Sequence, residues 1–191
     1  ARVAEMRRAL PHDVTNALAA SAAAVAVGAA TDGVRAALAS YETLPHRVAL
    51  VGEARGVKWF DDSKATNPHA AMHAVRAFDS VVLLAGGRNK GLDLSVLTGA
   101  ADHLRAVVAF GEAGPDVQRA FERMRPVTRV ATMGDAVKAA DAYAQSGDVV
   151  LLSPGCASFD AYSSYAQRGD HFASEVRALL QGGETAEVGA Q

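Results

Sequence analysis

Three short, uninterrupted apolar runs constrain this chain most: 80–85 (SVVLLA), 105–110 (RAVVAF) and 148–152 (DVVLL). A strand that is apolar at every position, not every second one, has to be buried on both faces. Segments with helical periodicity separate these runs, over 94–103, 114–124 and 134–145. Apolar strands alternating with helices predict an α/β chain whose mostly parallel sheet carries helices on both faces. Further strands are expected over 47–52, 56–61 and 127–131, with Glu53-Ala54-Arg55 as a hairpin turn between the first two. Helices are expected over 68–78 and 169–181.

The amino-terminal part reads differently. Residues 14–27 make an alanine-rich helix that Gly28 stops. Thr31 or Asp32 can cap a second helix that runs to Tyr41. Periodicity breaks over 43–47, which predicts a domain boundary: 1–45, then 46–181, then a tail, 182–191, without periodicity and expected to be disordered. Residues 1–10 are charged and lack the apolar core of a signal peptide. They also lack an initiator Met, so the chain is expected to start inside something larger or to be a processed product.

Composition excludes several function classes. The 191 residues carry 19 basic and 21 acidic side chains, a net charge of -2. A nucleic-acid module normally shows a basic excess. No apolar run approaches the roughly 20 residues that span a membrane. One cysteine cannot build a disulfide framework or a multi-cysteine zinc site. His69 and His73 stand four apart on an expected helix, but no third metal ligand accompanies them. Neither GxxxxGK[ST] nor GxGxxG occurs.

Chemistry concentrates in three loops that follow strands. Ligands in open α/β sheets bind at the carboxyl ends of strands, and all three loops lie there. Asp61-Asp62-Ser63-Lys64-Ala65-Thr66-Asn67 places two carboxylates, two hydroxyls and an ammonium before a helix start. Thr66 or Asn67 can cap that helix, with Pro68 in its first turn; capping does not explain Lys64 beside two aspartates. Gly86-Gly87-Arg88-Asn89-Lys90-Gly91 allows close backbone approach and offers cations to a carboxylate or phosphate. Only Lys58, Lys64, Lys90 and Lys138 represent lysine in the chain, so a lysine in each of two such loops carries weight. Ser153-Pro154-Gly155-Cys156-Ala157-Ser158-Phe159-Asp160 offers hydroxyls and backbone N–H groups. Cys156 reads as a small buried thiol, and Tyr162, Tyr165, Arg168 and Asp170 as packing and capping residues of the last helix.

Taken together and in order, these loops resemble the D-glutamate-adding members of the Mur ligase family. The carrying residues are Leu44-Pro45-His46-Arg47, Asp62-Ser63-Lys64-Ala65-Thr66-Asn67, Gly86-Gly87 with Lys90, and Leu152 to Ser158 through Gln167-Arg168-Gly169. The resemblance implies a Rossmann-like carboxy-terminal domain over 46–181, preceded over 1–45 by the last helices of a central ATP-binding domain. It implies a cytoplasmic ligase of peptidoglycan precursor synthesis, monomeric, without nucleic-acid or membrane partners. ATP phosphorylates the carboxylate of UDP-N-acetylmuramoyl-L-alanine, and D-glutamate attacks the acyl phosphate. By that resemblance Thr66, Lys90, Ser158, Phe159 (through its backbone N–H) and Tyr165 would hold D-glutamate. Asn16, Arg47, Asp62 and Lys64 would face the nucleotide, with Lys64 and Arg47 in the catalytic role. No metal ligand is expected in this chain; ATP and Mg2+ would be held mainly by the missing part of the central domain. Two positions depart from the family pattern, Asp13 where Asn is common and Tyr165 where Phe is common. Another Mur-type ligase, a folylpolyglutamate-type ligase, or a stand-alone module of the same fold binding an acidic metabolite or nucleotide, are the alternatives. Without a P-loop, the chain alone is expected not to turn over.

Overall fold

The computed structural model describes residues 2–188. They fall into two compact units, Ala1–Leu44 and Pro45–Gln191. The first holds a short 3-10 turn, Val3–Glu5, and two helices, α1 (Pro11–Ala26) and α2 (Thr31–Ser40). Asp13 starts α1: its carboxylate accepts the Leu10 N–H (3.1 Å) and a two-pronged contact from Arg8 (2.7 and 2.8 Å). Neither helix buries a residue within this unit. The cap expected from Thr31 or Asp32 does not form. Ala30 occupies that position without a side-chain bond, and Thr31 is already helical.

The second unit is built on one six-stranded sheet in the order β1-β2-β6-β3-β4-β5. β1 (Ala49–Ala54) and β2 (Val57–Asp61) form an antiparallel hairpin. Its turn is Arg55-Gly56, one step later than the sequence suggests; both residues have positive φ (52° and 73°), the two-residue geometry that matches strand twist. β2, β6 (Val149–Gly155), β3 (Val81–Gly86), β4 (Leu104–Phe110) and β5 (Val127–Arg129) pair in parallel.

Side chains alternate across the sheet. Val82, Leu84, Val150 and Leu152 face a core closed by α5 (Met133–Tyr143) and α6 (Tyr165–Val188), where Trp59 meets Phe172. The opposite parity, Val81, Leu83 and Leu151, is equally buried. On that face lie α3 (Pro68–Val75), a 3-10 stretch (Leu94–His103) and α4 (Gly114–Phe121). The stretch 94–103 was expected to be one α-helix; it is broken at Ala100 (φ -112°, ψ 15°). The last helix begins at Tyr165 and continues through 182–188, where the sequence carries no apolar period and disorder is expected. Backbone bonding propagates from the packed turns without needing one. Residues 189–191 of the expected tail lie outside the described residues. Among the described residues no helix is long and apolar enough to cross a membrane.

The chain reverses its direction of travel across the sheet between β3 and β6. From β3 it moves outward through β4 and β5, then returns to place β6 on the other side of β3. Such a switch point opens a crevice at the carboxyl ends of the strands.

Candidate functional site

The three loops picked out in the sequence leave the carboxyl ends of three adjacent strands, β2, β6 and β3. In the first, Asn67 is the cap of α3: its side-chain oxygen accepts the Ala70 N–H at 2.9 Å. Thr66 is therefore not engaged as the cap. Asp61 accepts the Ser63 N–H (2.9 Å) and meets His46 Nδ1 at 2.6 Å. Asp62 turns inward, accepting from Ser153 Oγ at 2.7 Å and from the Val48 N–H. Burial pushes its carboxyl up to about 7. The Asp61 charge adds to the rise, while the Ser153 and Val48 bonds and the Arg47 charge oppose it. Lys64 places its Nζ 4.2 Å from the centre of the Tyr165 ring, a cation–π contact.

The segment that enters β1 is strained. His46 (φ 61°) and the buried Val48 (φ 48°) both adopt the left-handed region, which a β-branched residue rarely visits. Such conformations cost about 1–3 kcal/mol each and persist where surrounding bonds over-determine them. Here the bonds run to the first loop: the Lys64 N–H donates to His46 O (3.1 Å), His46 meets Asp61, and the Val48 N–H meets Asp62. Arg47 sits between the strained residues, exposed and close enough for its charge to act on Asp62.

The second and third loops are stitched together. The Arg88 N–H donates to Ala157 O (2.8 Å) and the Ala157 N–H to Arg88 O (3.0 Å). Gly87 (φ 117°) permits this approach, since a Cβ there would run into Ala157 O. Asn89 closes its loop on Leu92 through two 2.9 Å bonds. Of the two cations, Arg88 is paired with Glu112 (3.1 Å), leaving the exposed Lys90 as the cation this loop offers. In the third loop Ser158 is buried and Phe159 exposed. Burial pushes the Cys156 thiol up to about 11, far from a nucleophile's range.

Sequence reasoning missed two contributors. The loop after β4 joins the same edge: the Ala113 N–H donates to Gly87 O (2.7 Å) and the Glu112 N–H to Asp160 Oδ2 (3.1 Å). The other is Arg168, fully buried. Its Nε donates to Ser63 Oγ (2.9 Å), Nη2 to Ser63 O (2.9 Å) and Cys156 O (3.1 Å), and Nη1 to Cys156 O and Ala157 O (3.1 Å each). A signal existed: a cation in a helix's first turn opposes the helix dipole, so it needs another reason to be there.

Thr66, Lys90, Ser158, Phe159, Tyr165, Asp62, Lys64 and Arg47 thus all belong to the loops at this edge or the segments packed on them. Asn16 stands exposed on α1, in the other unit. Among the described residues no three His, Cys, Asp or Glu groups converge to hold a metal ion. Asp61 and Asp62 are both committed to neighbours within the fold.

Comparisons with known proteins point one way. The family described as "Mur ligase, glutamate ligase domain" matches residues 46–156. A protein named UDP-N-acetylmuramoylalanine--D-glutamate ligase from Frankia casuarinae is 48% identical over 172 residues, which is 88% of this chain and 36% of that protein. One of the same name from Thermobifida fusca is 44% identical over 188 residues, 94% of this chain and 40% of that protein. The chain therefore spans about two fifths of the length of these relatives. Among solved structures, UDP-N-acetylmuramate-alanine ligase MurC from Thermotoga maritima superposes with a TM-score of 0.66 at 15% identity, over 91% of this chain and 39% of that one. E. coli FolC in complex with DHPP and ADP gives 0.56 at 23% identity, over 88% and 39%. These two likenesses speak for the fold.

Proposed function

This chain belongs to the Mur ligase family through its glutamate ligase domain, and we propose that it is the carboxy-terminal, amino-acid-binding portion of the ligase that adds D-glutamate to UDP-N-acetylmuramoyl-L-alanine. The observation that carries the reading is the meeting of three loops at the ends of β2, β6 and β3, with Lys64 and Lys90 in two of them. D-glutamate presents two carboxylates, and a dicarboxylate calls for a cation and several neutral donors. Lys90 supplies the charge; Thr66, buried Ser158 and the Phe159 N–H supply the donors; Tyr165, whose ring lies against Lys64, is assigned to the same ligand. The name shared by relatives 40–48% identical to this chain supports that choice of amino acid.

ATP serves as the phosphoryl donor to the carboxylate of UDP-N-acetylmuramoyl-L-alanine, giving an acyl phosphate and ADP. The amine of D-glutamate then attacks the acyl carbon and phosphate leaves. Little of this is bond chemistry by side chains; it depends on positioning and on stabilising charge as it develops. Lys64 and exposed Arg47 provide positive charge beside Asp62, on the side assigned to the nucleotide. Asn16, on α1, is assigned to the adenine by the resemblance alone. Mg2+ would come with the nucleotide and find its ligands outside this chain, because Asp61 and Asp62 are otherwise engaged.

No GxxxxGK[ST] sequence occurs in the 191 residues, so phosphoryl transfer is assigned to the rest of a longer polypeptide. The test is a ligation assay with ATP, D-glutamate and UDP-N-acetylmuramoyl-L-alanine. The 191-residue chain alone should form no product; a polypeptide extended at its amino end by a P-loop domain should form it with D- but not L-glutamate. Turnover by the chain alone, or equal use of both enantiomers, would contradict the reading.

A further inference from the structure

The side chain of Arg168 reaches all three site loops. Its Nε and Nη2 hold Ser63, the residue before Lys64. Its Nη1 and Nη2 hold the carbonyls of Cys156 and Ala157, the residues before Ser158. Its Nη1 also packs against Gly87 so closely that a Cβ there would come within 2.9 Å of it. Ser63 passes the constraint on, because its Oγ accepts from Arg168 and donates to Tyr165 O at 2.8 Å. Tyr165 in turn carries the ring under Lys64.

Five donors in a fixed planar fork meet acceptors that are all neutral. Burial lowers the guanidinium to about 10, so it is still charged at neutral pH. A buried charge satisfied by carbonyls and a hydroxyl, rather than by a carboxylate, gives up the stronger pairing. What it gains is geometry: separate backbone segments are fixed to one rigid plane. A lysine would keep the charge but present its donors from a single point, so it cannot span the same acceptors.

We propose that Arg168 is a positioning residue: it sets Lys64, Lys90 and Ser158 at the mutual spacing that ligand binding requires, without touching ligand itself. The proposal rests on the reading that these loops hold the nucleotide and D-glutamate, and it extends that reading to a residue in the core. It differs from a folding role, which would weaken the sheet and the loops alike.

The test compares the 191-residue chain with its Arg168→Lys variant by amide NMR and by D-glutamate titration. The expected result is displacement of the Lys64, Arg88 and Ser158 amides together, while those of Leu83 and Leu151 in the sheet stay in place. D-glutamate affinity should fall at least tenfold. Shifts confined to α6, or an affinity within twofold of the parent, would overturn the proposal. Should the parent chain bind no D-glutamate, the functional reading fails, and the amides alone decide: joint displacement of the three loops upholds Arg168 as their common anchor, and its absence refutes it. Should Arg168→Lys not fold, Ser63→Ala removes the hydroxyl that accepts from Arg168 Nε and donates to Tyr165 O, and leaves the bonds of Arg168 to the Ser63, Cys156 and Ala157 carbonyls. The Lys64 and Tyr165 signals must then move with the sheet intact; unmoved signals refute the proposal.

Discussion

A carboxyl as deeply buried as that of Asp62 is held protonated to about pH 7, against 3.8 for a free one. Folding therefore takes up a proton between those values. The stabilisation from this group is complete below about pH 4 and is lost as pH rises through 7. At about 1.4 kcal/mol per pKa unit, its pH-dependent part is at most about 4 kcal/mol. Asp62→Asn should remove that dependence: relative to the parent, the variant gains stability between pH 4 and 8 in urea denaturation. Parallel pH profiles would contradict the assignment. Gly169 makes a second prediction. A Cβ there would collide with His46 Nδ1 and Asp61 Oδ2. Alanine is the better helix former by about 1 kcal/mol, yet Gly169→Ala should destabilise by about 1–3 kcal/mol, because the His46–Asp61 pair has to move. A stabilised variant would show that α6 does not approach so closely.

Elements separate residues that build the site from residues that serve it. Asn67 and Thr66 are neighbours with different tasks. Asn67→Ala should cost about 0.5–2 kcal/mol, the usual effect of losing a cap, with ligand contacts unchanged. Thr66→Val should leave stability nearly unchanged and weaken D-glutamate binding; the reverse pattern would exchange their roles. In β3, Leu83→Ala should cost about 2–5 kcal/mol, since the strand is buried on both faces and cannot close the cavity. The sequence made the strands legible for that same reason, an apolar run without alternation having few other places to go. It was less informative where local chemistry competes with tertiary packing. The 3-10 stretch Leu94–His103 keeps helical spacing but breaks at Ala100. The hairpin turn moved to Arg55-Gly56 because both turn residues take positive φ.

At the scale of the whole molecule, what could be read was the set of loops; what could not was their connection. Their polar residues and glycines stand out against apolar strands, and strand order brings their ends side by side. Arg168 is different. It lies about 100 residues along the chain from Ser63; its place in a helix's first turn hints at a further task, but nothing local names the loops it holds. The strain at His46 and Val48 is hidden likewise, because the bonds that hold it come from β2 and the loop after it. The proposed function makes these loops one binding site for a D-configured dicarboxylate. Titrating the 191-residue chain with D-glutamate and with L-glutamate, followed by amide NMR, tests it most directly. Saturable shifts are expected at Thr66, Lys90 and Ser158 together, at lower concentration for the D enantiomer. Identical titrations with both enantiomers, or shifts at one loop alone, would contradict it.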